Sequence, residues 1–196
     1  MTVRPIRITG DPVLHTPAQD VAVWDSHLRT LVADMVETMR AAPGVGLAAP
    51  QIGVGLKVFV WEWSDDNDVL HEGVVINPTL TTVRVSRGKP DPEADLEGCL
   101  SVPDFRFALR RSDAVVLRGK TLENEDLVIT ATGWLARIFQ HEFDHLRGTL
   151  YIDRLPWRTI LSARREIKEE GWARPGLSWL PGRDDFEGSG EDAEEA

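Results

Sequence analysis

The run Gln140-His141-Glu142-Phe143-Asp144-His145 constrains this chain more than any other segment. In a helix, histidines four residues apart lie on one face, one turn from each other. Their ring nitrogens then reach a single metal ion, and the intervening Glu142 sits at the rim, placed to move protons. A hydrolytic metal site usually has three protein ligands and one position left for water. The pattern therefore demands a helix over 141–145 and a third ligand from elsewhere in the chain. It points to a metal-activated water, and so to a hydrolase. The alternative is a surface helix with two unrelated histidines.

The flanking residues favour the helix. Asp126 to Ala131 is rich in β-branched residues and reads as a strand. Thr132-Gly133 breaks it, with Thr132 as the expected N-cap. Gly133 to Leu146 contains no Pro, and Gly148 is a good stop. Leu135, Phe139 and Leu146 form one apolar stripe. Trp134, Ile138, His141 and His145 form a second, so the metal face continues into an apolar wall. A polar site beside such a wall suits an apolar side chain of a ligand, unless Trp134 and Ile138 are simply core.

For the third ligand, Cys99 stands out. It is the only cysteine, so no intrachain disulfide is possible. It lies in Glu97-Gly98-Cys99-Leu100-Ser101-Val102-Pro103, which reads as one apolar strand opened by a glycine. Thiolate is a strong ligand for Zn2+ or Fe2+, although a lone Cys also reads as a small buried hydrophobe. His15, in a loop beside Pro17, His27, near a helix start, and His71, in a turn, carry no ligand pattern. A further run, Gly44 to Gly53, is glycine-rich and apolar. It lacks the Gly-Lys-Ser/Thr ending of a P-loop and the preceding strand of a dinucleotide fingerprint. Its small residues let backbone approach a ligand. Gln51, the one side chain there able to hydrogen-bond, suits an oxyanion donor or a tie between loops.

Taken together, the three motifs resemble those of peptide deformylases. They stand in family order: Gly44-Val45-Gly46-Leu47-Ala48-Ala49-Pro50-Gln51, then Glu97-Gly98-Cys99-Leu100-Ser101, then Gln140 to His145. The similarity covers most of residues 5–155, including Asp11-Pro12-Val13-Leu14 and Asn77-Pro78. The resemblance implies a ferrous ion (Fe2+, with Zn2+, Ni2+ or Co2+ as substitutes) held by Cys99, His141 and His145, with water as fourth ligand. It implies Glu142 as general base and then general acid, and an oxyanion hole from Gln51 and the Leu100 N–H. The substrate would be an N-formyl-methionyl peptide, and the reaction hydrolytic removal of the formyl group from the amino terminus of newly made polypeptides. Val45, Gly46, Leu100, Trp134 and Ile138 would line the methionine pocket, and Arg106 would lie near the substrate backbone. Glu97 and Arg111 match a supporting pair. Trp134 departs from a common Leu, and Asp104-Phe105 from a more usual Gly-containing turn.

The expected architecture is α+β: mostly antiparallel strands packed around a central catalytic helix carrying the His pair, with N-terminal and C-terminal helices. His27 to Ala42 reads as an amphipathic helix with Met35 and Met39 in the core. Lys57 to Trp63 reads as a strand, Ser64 to Asp68 as an acidic turn, and Gly73 to Asn77 and Leu80 to Ser86 as two strands broken at Pro78. Ala114 to Gly119 and Leu127 to Thr130 form a hairpin. Pro156 to Gly171 is a final helix. At 196 residues the chain suits one domain, a metallo-hydrolase unit over 1–176. An acidic tail over 177–196 follows, expected to be solvated and disordered. Asp184 to Ala196 holds seven acidic residues and no basic one.

The net charge of −10 argues against direct nucleic-acid binding. No apolar run approaches the ~20 residues that cross a bilayer, so no membrane partner is expected. The first ten residues hold no apolar signal region, and one cysteine fits a reducing compartment; the expectation is a cytoplasmic protein. From Arg158 to Arg174 five basic residues face three acidic ones. Bacterial deformylases that resemble this chain can use a basic C-terminal helix at the ribosome, so the ribosome is a candidate partner. The competing activity is a zinc metallopeptidase or amidase of another His-Glu-x-x-His family, which would need a third ligand downstream of His145. A metal-storing domain would not need Glu142 or Gln51. A catalytic thiol at Cys99 would need an imidazole that the metal already uses.

Overall fold

The structure is a computed structural model and describes residues 2–65, 67–84 and 88–184. Its centre is a five-stranded antiparallel sheet in the order β2-β3-β4-β7-β8. These strands are Gly46–Ala48, Val58–Ser64, Leu70–Arg84, Ala114–Lys120 and Asp126–Thr132. Apart from it lie the hairpin β5 (Leu96–Cys99) and β6 (Val102–Ala108), and a short pair of β1 (Ile6–Arg7) with β9 (Ser178–Trp179). Three α-helices complete the described residues: α1 (Ser26–Ala41), α2 (Gly133–Leu146) and α3 (Trp157–Glu169). The α+β class expected from the sequence is the one observed.

The alternation of side chains along a strand divides the core in two. Val58, Val60 and Ile76 join one cluster with Leu28, Val32, Met35 and Met39 of α1. Phe59, Trp61 and Val75 join the other with Ala136, Phe139 and Leu146 of α2. The sheet thus separates α1 from α2, and α2 lies between the sheet and the β5–β6 hairpin. Phe139 anchors it, with ring centroids 6.0 Å from Phe59 and 5.0 Å from Trp61.

Local signals explain the helix ends. Asp25 caps α1, its Oδ1 accepting from the N–H groups of His27 at 2.9 Å and Leu28 at 3.0 Å. Thr132 occupies the N-cap position of α2, but no helix N–H bonds its hydroxyl. The turn from β8 into α2 rests instead on Gly133, at φ +57, a region open to glycine at little cost. Gly148 closes α2 at φ +69.

Several expected boundaries shift. Gly73 to Asn77 and Leu80 onward belong to one strand, β4, rather than two. Its register slips between Ile76 and Thr79, a bulge that tolerates Pro78. Asn77 makes the bend at φ +51, and its amide bonds both the N–H and the carbonyl of Val21, at 2.8 and 2.9 Å. His71 lies in β4, bonded to Asp65 at 3.0 Å and stacked on Trp63, not in a turn. Residues 97–103 are no single strand: they fold back through Leu100-Ser101, so that Cys99 pairs with Val102. The fold also continues past 176. Ile6 pairs with Trp179, and Ile8 N–H donates to the Leu177 carbonyl, because the indole of Trp179 has apolar surface to bury. Positions 85 and 86 of the expected second strand, and the acidic tail from 185 on, lie outside the described residues.

Candidate metal centre

Away from its Phe139 stripe, α2 presents His141 and His145 to the β5–β6 hairpin, while Ile138 joins the sheet-side cluster and also lines the cavity. The tight turn at Leu100-Ser101 leaves Cys99 at the end of β5, facing the helix. Its Sγ lies 3.3 Å from His145 Nε2, which lies 3.2 Å from His141 Nε2. One ligand atom from each of Cys99, His141 and His145 falls within 4.8 Å of the others. Two nitrogens on a tetrahedral ion at about 2.0–2.1 Å stand about 3.3–3.4 Å apart, so the spacing suits one cation. Among the described residues this is the one cluster of its kind. Its third member comes from upstream of the helix, not from downstream as the rival peptidase family would need.

The same strand that brings Cys99 brings Glu97, two residues earlier. Glu97 Oε1 accepts from His141 Nδ1 at 2.7 Å, which places the proton on Nδ1 and turns Nε2 inward. Arg111 grips Glu97 through Nε at 3.0 Å and Nη2 at 2.6 Å, and Asp144 through Nη1 at 2.6 Å. Arg154 pairs with both oxygens of Asp144. Arg137 adds bonds to Asp95 at 2.7 Å and to Glu97 at 3.3 Å. Burial works against the Glu97 charge, but His141 and Arg111 outweigh it and hold the carboxyl well below the usual range. Burial likewise opposes a charge on His141, and the Cys99 sulfur and Glu97 outweigh it, raising its pKa well above the ordinary imidazole value. His145 is held well below that value by burial and by the neighbouring His141.

Glu142 is buried next to this cluster, and its Oε2 has no hydrogen-bond partner among the described residues; the same is true of His145 Nδ1. Burial pushes the Glu142 carboxyl up to about 7, with the His141 charge working against the rise. A buried carboxylate oxygen without a donor is costly, and an ion-bound water would supply one. A soft sulfur, two imidazoles and this orphaned oxygen fit a divalent ion of the iron or zinc kind. Gly46 explains how Glu142 fits: a Cβ there would collide with its carboxylate. Gln51 stands on a short 3-10 helix (Ala49–Ile52). Its Oε1 accepts from Ala48 N–H at 2.8 Å, turning Nε2 toward Ser101 Oγ at 3.3 Å and Cys99 Sγ at 3.8 Å.

A cavity of about 460 Å3 opens onto these groups. Val45, Gly46, Gln51, Cys99, Leu100, Arg106, Trp134, Ile138, His141 and Glu142 all line it, and His145 lies buried behind. Every candidate ligand, catalytic and substrate-binding residue named from the sequence is therefore at or against one cavity. Trp134 is partly exposed, under the Arg137 guanidinium at 5.6 Å from its ring centre. Phe105, already noted as a departure from the family turn, lines the cavity too, as do Leu96 and Trp179, which motif reading missed. Motif reading also missed Arg137, and it gave no separate role to two members of the histidine motif: Asp144, and Gln140, whose amide clamps both backbone groups of Ser112 at 2.9 Å. Charged and amide residues among the buried positions of α2 were the available signal for these three; Trp179 carried none.

The geometry agrees with what the chain is similar to. The sequence profile of the polypeptide deformylases matches residues 3–159. A peptide deformylase of Mycolicibacterium paratuberculosis is 49% identical over 189 residues, covering 93% of this chain and 96% of that protein. Peptide deformylase 2 of Corynebacterium efficiens is 48% identical, covering 94% and 96%. Among solved structures, a peptide deformylase from Legionella pneumophila superposes with a TM-score of 0.73 at 36% identity, over 86% of this chain and 95% of that one. The Synechococcus elongatus enzyme in complex with actinonin gives 0.70 at 33% identity, over 88% and 90%. With the profile spanning most of its length and relatives near half identical, the chain belongs to the polypeptide deformylase family.

Proposed function

We propose that this enzyme hydrolyses the formyl group from N-formyl-methionine at the amino terminus of newly made polypeptides, with Cys99, His141 and His145 holding its catalytic ion. The observation that carries the reading is the convergence of those three ligand atoms within 4.8 Å, beside the unpartnered Glu142 Oε2. A bound divalent ion supplies Lewis acidity and lowers the pKa of water from ~16 toward ~7.

The rest of the chemistry falls to the chain's own groups. Glu142 takes a proton from the attacking water and delivers it to the leaving amine, because amide cleavage fails unless the nitrogen is protonated. A carboxyl raised toward neutrality suits both transfers. Gln51 Nε2–H and the Leu100 N–H donate to the formyl oxygen as it gains charge, each worth roughly 3 kcal/mol in the transition state. The methionine side chain lies along Val45, Gly46, Leu100, Trp134 and Ile138. Arg106, exposed at the rim, meets the peptide backbone. The Glu97–Arg111 pair keeps His141 in one tautomer and orientation.

The ion is read as ferrous, because an anionic sulfur beside two imidazoles holds Fe2+ well; metal analysis after anaerobic purification tests this. We place the protein in the cytoplasm, which cell fractionation checks. The C-terminal helix exposes Trp157 and Leu161 beside basic residues, and this supports a ribosome contact. Co-sedimentation of the full-length protein, but not of its Trp157→Ala and Leu161→Ala double variant, with ribosomes would support it; equal behaviour would remove it. The activity itself is tested by formate release from a formyl-methionyl peptide, with the unformylated peptide as comparison. Cleavage of the unformylated peptide without formate release would replace this reading with that of a general metallopeptidase.

A further inference from the structure

Both carbonyls of the turn that presents Cys99 are held by the two ends of the chain. Thr9 N–H donates to Ser101 O at 2.8 Å. Trp179 Nε1–H donates to Leu100 O at 2.9 Å. That Leu100 carbonyl shares a peptide group with the Ser101 N–H, which donates to Cys99 Sγ at 3.4 Å. A peptide group is rigid and planar. Fixing its oxygen therefore fixes the direction in which its N–H points at the sulfur.

Trp179 is itself firmly seated, although it lies beyond the residues that the family profile matches, 3–159. Its strand pairs with β1. Just downstream of β1, Gly10 passes so close to the C-terminal segment that a Cβ on it would lie 2.5 Å from Arg174 N. Trp172 packs edge-on against Phe105, with ring centres 5.6 Å apart. The indole of Trp179 is buried and forms part of the cavity wall. A buried indole N–H needs an acceptor, and here that acceptor is the turn between Cys99 and Val102.

We propose that Trp179 is a positioning residue for the metal centre: through the Leu100 carbonyl it orients the Leu100–Ser101 peptide, and so the N–H···S bond on Cys99. A hydrogen bond to a ligand sulfur withdraws electron density from it, and such outer partners tune the bound metal. Without the indole N–H the turn is freer to rotate, the sulfur becomes the stronger donor, and the ion the weaker acid. The activity arm of the test rests on the deformylase reading; the spectroscopic arm does not.

Two variants separate positioning from packing. Trp179→Phe keeps an aromatic ring and removes the donor. Replacement of Trp179 by benzothienylalanine keeps the shape of the indole with sulfur in place of N–H. Each is loaded with Co2+ beside the wild type and assayed on a formyl-methionyl peptide, and the sulfur-to-cobalt charge-transfer band is recorded. The expected result is a fall in kcat of roughly ten-fold, with KM changed by less than roughly two-fold. The band should move to lower energy in both variants, and thermal melts should show that they are folded. The proposal is overturned if the benzothienylalanine protein keeps wild-type kcat and band position, whatever Trp179→Phe does. It is equally overturned if KM alone rises, which would make Trp179 a wall of the cavity and no more. Absence of formate release from the wild type would sink the deformylase reading instead, while the band shift would still report on the turn.

Discussion

At Gly46 the backbone passes so close to Glu142 that a single methyl group would strike the carboxylate. Gly46→Ala should therefore displace Glu142, or push β2 off it, and cost activity out of proportion to stability. We expect kcat to fall at least ~10-fold, since a displacement on the order of 1 Å in a reacting group costs up to ~100-fold. Steady-state kinetics with a parallel thermal melt checks this; an unchanged kcat would mean that Glu142 moves aside freely. Glu142→Gln preserves the shape and removes the carboxylate proposed to transfer the proton. It should keep the ion, by metal analysis, and lose roughly 10²–10⁴-fold in kcat. Near-full turnover in that variant would remove Glu142 from the mechanism.

At the level of elements, β5 and α2 are joined by charge rather than by apolar packing. Glu97 of β5 meets His141 and Arg137 of α2, and Arg111 bridges Glu97 to Asp144 of α2. Such a buried network is not by itself a strong source of stability, because desolvation offsets most of its attraction. Breaking it is another matter. Arg111→Ala leaves two buried carboxylates without their shared partner and should cost about 3–5 kcal/mol, measured by urea unfolding. A loss below about 1 kcal/mol would show that water enters and screens the pair. On the opposite face of α2, Phe139→Ala should cost a similar ~3–5 kcal/mol for an unrelated reason, the cavity left between Phe59 and Trp61. The two losses can be told apart by pH, which acts on the carboxylates of the charged network and leaves a cavity unchanged.

For the whole molecule, the depressed Glu97 pKa sets a direction for stability against pH. The carboxyl is bound less tightly to its proton in the folded chain than in the unfolded one, where its ordinary value is 4.5. Its contribution is therefore complete above that value, and it is lost as pH falls toward the folded value. The stability gap between wild type and Glu97→Gln should be widest at neutral pH and should narrow below about pH 4.5. A gap that widens with acid would reverse the assignment. The ion adds a second dependence, because binding to the folded state alone stabilises it. Chelation should lower the melting temperature and abolish formate release, and restoring Fe2+ or Co2+ should recover both.

The spacing of His141, Glu142 and His145 was enough to specify a helix, since an extended strand would carry the two rings too far apart to share an ion. The periodicity of Leu135, Phe139 and Leu146 was enough to specify which way that helix turns. Glycines at 44, 46 and 98 marked places where backbone comes close to something, and at Gly46 the neighbour is Glu142. Other features had no local signal. A bulge at Asn77-Pro78 reads as a break when the partner strand is unknown, and the two-residue turn after Cys99 reads as continuous strand. That the sulfur meets the two imidazoles, that Glu97 and Asp144 share Arg111, and that an indole at 179 holds the carbonyl of Leu100 were decided only in three dimensions. Periodicity reports how a segment faces its surroundings, whereas contacts between segments distant along the chain depend on how loops close and elements pack, which a single segment does not encode.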